Sequence, residues 1–282
     1  MNKQGKNGIS WCTYTWNPIS GCYGPGGTAT NPKRCPYCYA QKIANRFSKH
    51  TGDNEIIGIN GNKIHEVYPT ENIGDPYPWG FEPTLHWSRL DDPRKVKKPQ
   101  RIFVCSMADL FGPWIPEIWQ HRIFEACDQA PWHKYLFLTK SPYWYKPWYE
   151  IARNHPGWWF GTTITNNLDF KERIGDFLLS TTMNNNPIQG PNRFISFEPL
   201  HEDLSQRILD YCMPYLDFII IGQETGNRKG KVIPKDEWVQ NIIDQCREHR
   251  VPVFIKQPLY NKFPIQEYPE GLRLKPSEKD VS

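Results

Sequence analysis

Phe218-Ile219-Ile220-Ile221-Gly222-Gln223-Glu224-Thr225-Gly226 passes from an unbroken apolar run into glycines and polar side chains. A short apolar run bounded by turn residues reads as a strand buried on both faces. Downstream, Pro234 to His249 sets Trp238, Val239, Ile242, Ile243 and Cys246 at helical spacing, with Pro234 suited to the first turn. A second apolar run, Val251-Pro252-Val253-Phe254-Ile255, then ends on Lys256-Gln257. Strand, amphipathic helix and strand make one crossover unit, and such units build parallel sheets.

The same alternation extends upstream. Further strands are predicted at Thr15–Ile19, Arg101–Cys105, Tyr135–Leu138, Trp158–Thr162 and Arg193–Phe197. Helices are predicted over Pro36 to Lys49 (Tyr39, Ile43 and Phe47 on one face), Pro116 to Ala130 (Ile123, Ala126, Cys127) and Leu168 to Ser180 (Ile174, Phe177, Leu178). All of these stripes are read as core-facing. The fold class expected is α/β: an incomplete or variant TIM-type (β/α) barrel of about six to seven parallel strands. Residues 1–282 are read as one barrel domain with a polar C-terminal tail from Tyr268. At about 51–99 a stretch rich in Gly, Pro, Trp and charge, including Asp75-Pro76-Tyr77-Pro78-Trp79-Gly80, reads as a loop insertion.

The composition fits a folded chain. Hydrophobic residues are 38%, with 12 Trp, 14 Tyr and 14 Phe among 282 residues, which excludes a disordered chain. The net charge of +4 is mildly basic: compatible with a nucleic-acid partner, too weak to argue for one. Met1 to Ser10 lacks the apolar core of a secretory signal, and no stretch approaches the length of a membrane span. Eight cysteines without a signal are expected in a reducing cytoplasm, where clustered thiols bind metal or do chemistry more often than they form disulfides. Cys127, Cys212 and Cys246 lie in apolar contexts and read as core.

In parallel barrels the residues just after the strands line the active site. Those positions here are Ser106 and Asp109, then Thr139 and Lys140, Thr163 and Thr165, Glu198, Gln223 and Glu224, and Lys256 and Gln257. One polar strand end is ordinary loop chemistry, but six in succession after apolar runs point to a site. Lys256 closes an apolar strand, so its ammonium must reach solvent or meet an anion. The candidates facing it are Glu198, Glu224 and a ligand carboxylate or phosphate; the alternative is a structural salt bridge.

Cys22, Cys35 and Cys38 read C-x12-C-x2-C, with Cys35-Pro36-Tyr37-Cys38 opening a helix. Three thiolates on one loop with no fourth leave an open coordination position, which suits a reactive iron–sulfur or metal centre. Two other readings stand beside it. Cys-Pro-Tyr-Cys at a helix start is also a thiol–disulfide exchange motif, though it leaves Cys22 unexplained. A structural zinc site is completed by adding His50 or Cys12 to the three cysteines.

The run Trp11 to Ala40, with Thr15-Trp16-Asn17-Pro18, Gly21-Cys22 and Cys35-Pro36-Tyr37-Cys38-Tyr39-Ala40, resembles the phage and prophage three-Cys-motif family, which is radical-SAM-like. The blocks at Ser106 to Phe111, Leu138 to Ser141, Ile195 to Leu200, Gly222 to Gly226 and Phe254 to Gln257 resemble it in the same order. The likeness implies a [4Fe–4S] cluster on Cys22, Cys35 and Cys38, with S-adenosylmethionine on the fourth iron. Reductive cleavage would then yield a 5′-deoxyadenosyl radical. It implies that Tyr37 packs near the adenine, and that a reductant protein supplies electrons. Two departures stand out. The usual motif spaces its first two cysteines much more closely than the twelve residues found here, among them Gly24-Pro25-Gly26-Gly27, which makes Cys12 a spare candidate ligand. The Gly-Gly-Glu usual after the second strand, which receives the methionine amino group, is replaced by the region of Ser106 and Asp109.

The resulting expectation is a radical S-adenosylmethionine iron–sulfur enzyme acting on a nucleotide or nucleic acid. Catalytic roles fall to Lys256, Glu198 and Glu224. Cofactor contacts fall to Tyr37, Ser106, Asp109, Thr139, Glu198, Gln223 and Glu224. Two basic runs, Arg89 to Arg101 and Arg228 to Lys231, are candidate phosphate contacts or solvated faces. The alternative is a zinc-binding, non-enzymatic nucleic-acid-binding or adaptor protein.

Overall fold

The structure is a computed structural model and describes residues 1–5, 8–48, 56–57, 61–69, 76–179, 191–204 and 206–274. His50, one of the two residues that would complete a zinc site, lies outside them. In chain order the strands and helices begin with β1 (Asn2–Lys3), β2 (Tyr14–Trp16), β3 (Ile19–Ser20), α1 (Tyr39–Phe47), β4 (Ile56–Ile57), β5 (Lys63–Val67), β6 (Thr84–His86) and α2 (Asp92–Lys95). There follow β7 (Arg101–Val104), α3 (Glu117–Asp128), β8 (Lys134–Thr139), α4 (Lys146–Ala152), β9 (Trp158–Thr163) and α5 (Asn167–Leu179). The last are β10 (Asn192–Phe197), α6 (Gln206–Cys212), β11 (Phe218–Ile221), α7 (Asp236–Glu248) and β12 (Val253–Ile255).

Eight strands form one curled sheet in the order β1-β2-β7-β8-β9-β10-β11-β12. Only β1 among them is antiparallel to its neighbour, so seven run parallel. The order is linear, which makes a TIM-type half barrel. Each crossover helix covers the outer face. On that face Ile102, Val104, Phe137, Phe160, Ile195, Ile219, Ile221 and Val253 meet the apolar stripes of α3, α5 and α7. Period-two alternation turns the other residues of the same strands inward. Phe103, Leu136, Trp159, Phe194, Phe218, Ile220 and Phe254 fill the concave side, plugged by Trp11 and Leu272.

Gly161 sits on that inner row, in register with Phe194. A Cβ there would lie 2.4 Å from the Phe194 ring. Gly161→Ala is therefore expected to destabilise the chain by about 1–3 kcal/mol through overpacking, read as a lower urea midpoint at unchanged slope. An unchanged midpoint would mean that the inner row has slack.

Three expectations need correction. The predicted strand Thr15–Ile19 is split: β2 ends at Trp16, and after Pro18 the chain turns into β3, which belongs to another sheet. Proline cannot donate to a ladder, so the change of partner falls there.

The segment at about 51–99 contains more than loop. Its described parts form β4, β5, β6 and α2, and a four-stranded sheet of order β3-β6-β5-β4 covers the start of the cysteine loop. Glu66 gathers three donors: Trp119 Nε1 of α3 at 2.8 Å, which binds the segment to the barrel, and Trp87 Nε1 at 3.0 Å and Tyr68 Oη at 2.5 Å from within the segment. Its glycines and prolines hide short strands, of which β6 pairs with β3, far away in sequence.

The apolar stripe of α1 does not face the core. Tyr39, Ile43 and Phe47 are 46%, 37% and 51% exposed, and the buried side is Ala40 and Ala44. Two alanines let the helix lie close against Phe81 and Met107, which leaves the larger side chains outside. The other stripes are buried as expected, except that Trp238 at the start of α7 is only partly buried.

Candidate active site at the carboxyl ends of the strands

One cavity of about 330 Å³ opens at the carboxyl ends of the parallel strands; the three cysteines and all the expected catalytic and cofactor residues line it, whereas Thr165 and Gln257 do not. Its volume lies at the lower end of the range for small-molecule sites.

The cysteine loop is closed by backbone crossings. Lys33 N donates to Tyr23 O at 2.7 Å, and Arg34 Nε donates to Cys22 O at 3.1 Å. Gly24, at φ +82°, makes the crossing possible, since a Cβ there would lie 2.0 Å from Lys33 O. The Gly-Pro-Gly-Gly turn thus brings Cys22 back beside Cys35 despite their separation.

Cys38 is the N-cap of α1, and its Sγ accepts from Gln41 N at 3.4 Å. Cys22 Sγ accepts from Gly24 N at 3.2 Å. Backbone N–H donors on thiolate sulfurs are among the contacts that tune iron–sulfur centres. Burial pushes both thiols above the ordinary range, so loading a metal would release protons.

Among the described residues no three His, Cys, Asp or Glu side chains are gathered closely enough to hold a metal ion as they stand. The donor set nevertheless fits a three-thiolate centre: Cys22, Cys35 and Cys38 face one cavity and carry no disulfide. Cys12 is different. It is buried in the apolar inner cluster with Trp11 and Phe103, is not part of the cavity wall, and has a thiol pushed up to about 12 by burial. It is neither the spare ligand nor the fourth zinc ligand.

Two expected cofactor contacts are bound to each other. Thr139 Oγ1 donates to Asp109 Oδ1 at 2.6 Å, Phe111 N donates to the same oxygen at 3.2 Å, and Lys140 N donates to Oδ2 at 3.0 Å. Asp109 therefore ties the end of β8 to the loop after β7. Asp109→Ala is expected to lower the stability of the cofactor-free protein by about 1–3 kcal/mol, because it orphans buried donors. A thermal midpoint that stays put would return Asp109 to a purely ligand-facing role.

Ser106 is engaged likewise. Its Oγ donates to Asn17 Oδ1 at 3.1 Å, Met107 N donates to the same atom at 2.9 Å, and Tyr39 Oη donates to Ser106 O at 2.6 Å. Just before it, Cys105 is held at φ +59°, a left-handed conformation uncommon outside glycine, which turns the loop sharply over the cavity.

Across the cavity Lys256 Nζ donates to Glu198 Oε1. Both residues are partly exposed and both line the wall. Gly222 keeps room for this pair, since a Cβ there would come within 3.0 Å of the Glu198 side chain. The Glu198-Pro199 and Gln257-Pro258 peptide bonds beside the pair are cis.

Glu224 is gripped by a two-toothed fork. Arg228 Nε and Nη2 each donate to one of its carboxylate oxygens at 2.7 Å. The fork holds the Glu224 carboxyl below its usual range. His201 Nε2 lies 3.9 Å from the same carboxylate, and its ring meets Tyr37 edge-on at 5.4 Å. A row of contacts thus joins the cysteine loop to the loops after β10 and β11. Gln223 lines the cavity next to Glu224.

Part of each basic run is engaged within the chain. Arg228 is spent on Glu224, and Lys231 Nζ donates to Gly226 O at 2.7 Å. Arg94 and Lys95 pair with Asp91 and Asp92, while Arg101 starts β7, at the end of the strand away from the cavity.

Cavity residues that the sequence reading did not single out include Trp11, Arg34, Lys42 and Ser196, whereas Lys140 and Thr163 line the wall as their strand-end positions suggest. Strand parity would have found Ser196. Leu136, Leu138 and Lys140 share a parity, as do Trp159, Gly161 and Thr163, and Phe194, Ser196 and Glu198; each row is the inward one. Trp11, Arg34 and Lys42 come from loops and a helix and carry no such signal.

The chain is thus a parallel TIM-type half barrel with three cysteines facing the cavity at the carboxyl ends of its strands. The structure is similar to that of a spore photoproduct lyase mutant, at 10% identity and a TM-score of 0.54, over 90% of this chain and 78% of that one. It is also similar to a second mutant of that lyase with dinucleoside spore photoproduct, at 12% identity and a TM-score of 0.51, over 94% of this chain and 77% of that one. The chain belongs to the family described as "Protein of unknown function (DUF5131)", whose model matches residues 6–265. No curated protein sequence matches it.

Proposed function

We propose that this protein is a radical S-adenosylmethionine enzyme that modifies a nucleotide or nucleic acid. The observation that carries the reading is the convergence of Cys22, Cys35 and Cys38 with the polar strand ends on one cavity of a radical-SAM-type half barrel. Cys22, Cys35 and Cys38 would hold a [4Fe–4S] cluster, and Tyr37, Gln223 and Glu198 would contact S-adenosylmethionine. When bound, cluster and cofactor supply one-electron chemistry that removes a substrate hydrogen atom.

The chain's own residues provide the setting. Phe103 and Leu138 give the cavity an apolar floor that would help exclude water once a ligand is bound. Lys256 offers an ammonium already compensated by Glu198, so it can turn to a ligand carboxylate without first being desolvated. Arg228 keeps Glu224 ionised and oriented as an acceptor for hydroxyl or amino groups. The dinucleoside ligand of the similar lyase structure supports a nucleotide-type substrate. Eight free cysteines support a reducing cytoplasm, where a reductant protein would supply electrons. Among the described residues no helix is long and apolar enough to cross a membrane. A phage or prophage setting is part of the same proposal, on the likeness of the 11–40 run.

Anaerobic reconstitution with iron and sulfide tests the reading. A brown protein with broad absorption at about 400 nm is the expected result. A colourless protein with stoichiometric zinc would replace the reading with the structural-zinc alternative.

A further inference from the structure

We propose that the outer face of α1 is a stacking platform for single-stranded nucleic acid that leads into the cavity. The inference rests on the nucleic-acid reading above and adds where the strand lies. Helical geometry arranges α1 in three stripes: Ala40 and Ala44 against the core, then Tyr39, Ile43 and Phe47, then Lys42 and Arg46 on the side away from the core. The helix carries two cations and no acid.

The middle stripe is apolar and uncovered. From Tyr39 to Phe47 it spans about 12 Å at the usual helical rise, room for a short run of unpaired bases. Arg46 lies over the Phe47 ring at 5.4 Å, so cation and ring already form one surface. Base faces would stack on the rings while phosphates meet Lys42 and Arg46.

Continuity with the cavity selects this occupant over a protein. Tyr39 and Lys42 both belong to the stripes and line the cavity wall. The Tyr39 ring is pinned by its hydroxyl to Ser106 O at 2.6 Å. An occupant that covers the stripe therefore runs on into an opening of about 330 Å³. A strand can place one nucleotide there; a folded protein cannot. Arg94, Lys95, Arg228 and Lys231 are engaged elsewhere, whereas Lys42 of α1 is exposed and lines the cavity wall, so the cations of α1 are continuous with the site.

The test is fluorescence anisotropy of labelled thymidine and uridine homo-oligonucleotides with the cofactor-free protein over a range of salt. Phe47→Ala is expected to weaken binding about tenfold. Arg46→Ala is expected to weaken it and to lower the salt slope by about one. Both side chains are exposed, so thermal midpoints should not move. Oligonucleotide binding undiminished in both variants would overturn the platform and leave the nucleic-acid reading standing. No oligonucleotide binding at micromolar concentration would overturn both, while the cluster reading is decided separately by iron content. If Phe47→Ala instead abolished binding of an acidic flavoprotein electron donor and spared the oligonucleotides, the stripe would be a protein interface and the proposal would fall.

Discussion

Cys22→Ser, Cys35→Ser and Cys38→Ser are each expected to drop the iron content of the reconstituted protein from about four per chain to near zero. Cys12→Ser and Cys212→Ser should retain it. Serine is the informative replacement. At position 38 its hydroxyl can still cap α1, accepting from Gln41 N as the sulfur does, so the helix should persist while the soft ligand is lost. At position 22 it can keep the hydrogen bond from Gly24 N. Stability of the metal-free variants should therefore stay within about 1 kcal/mol of the parent, which separates ligand loss from misfolding. Cys12 and Cys212 are buried in apolar clusters away from the cavity wall, and serve as controls. Iron retained in any one of the three ligand variants, with the others depleted, would change the ligand set. Iron retained in all three would end the cluster proposal.

Lys256→Met should weaken S-adenosylmethionine binding at least tenfold in equilibrium dialysis, with little change in the thermal midpoint. Methionine keeps the apolar length of the stem and removes the ammonium. Lys256 and Glu198 both stand on the cavity wall, so the Glu198 carboxylate left by the variant can be hydrated from the opening, which keeps the effect on stability small. For a ligand carboxylate, in contrast, the loss of the cation leaves Glu198 facing an anion inside a narrow cavity, and repulsion adds to lost attraction. The double variant Lys256→Met, Glu198→Gln removes that repulsion. It should recover part of the binding lost in the single variant, and the size of the recovery measures the coupling between the two residues. Wild-type affinity in Lys256→Met would confine this lysine to a structural salt bridge.

The sheet was legible because each strand is announced by consecutive residues. Phe218 to Ile221 and Val253 to Ile255 are apolar runs that end abruptly in polar groups, and the α7 stripe recurs at helical spacing. Those signals are local, and the parallel-barrel rule converts them into a site at the strand ends. The side of the strand was also available: Lys140, Ser196 and Thr163 share the inward parity of Leu138, Phe194 and Trp159, whereas Thr139 has the opposite parity and is used by Asp109.

What each polar group does with its hydrogen bonds was not available, because the partner lies elsewhere in the chain. Asp109 and Thr139, Ser106 and Asn17, and Lys256 and Glu198 meet only when strands far apart in sequence lie side by side. The same holds for β3 leaving the barrel to pair with β6 and for the exposure of Tyr39, Ile43 and Phe47. A periodic stripe reports that a helix has an apolar face. Which face packs depends on how closely the neighbouring elements approach, and here the small side chains of Ala40 and Ala44 set that approach.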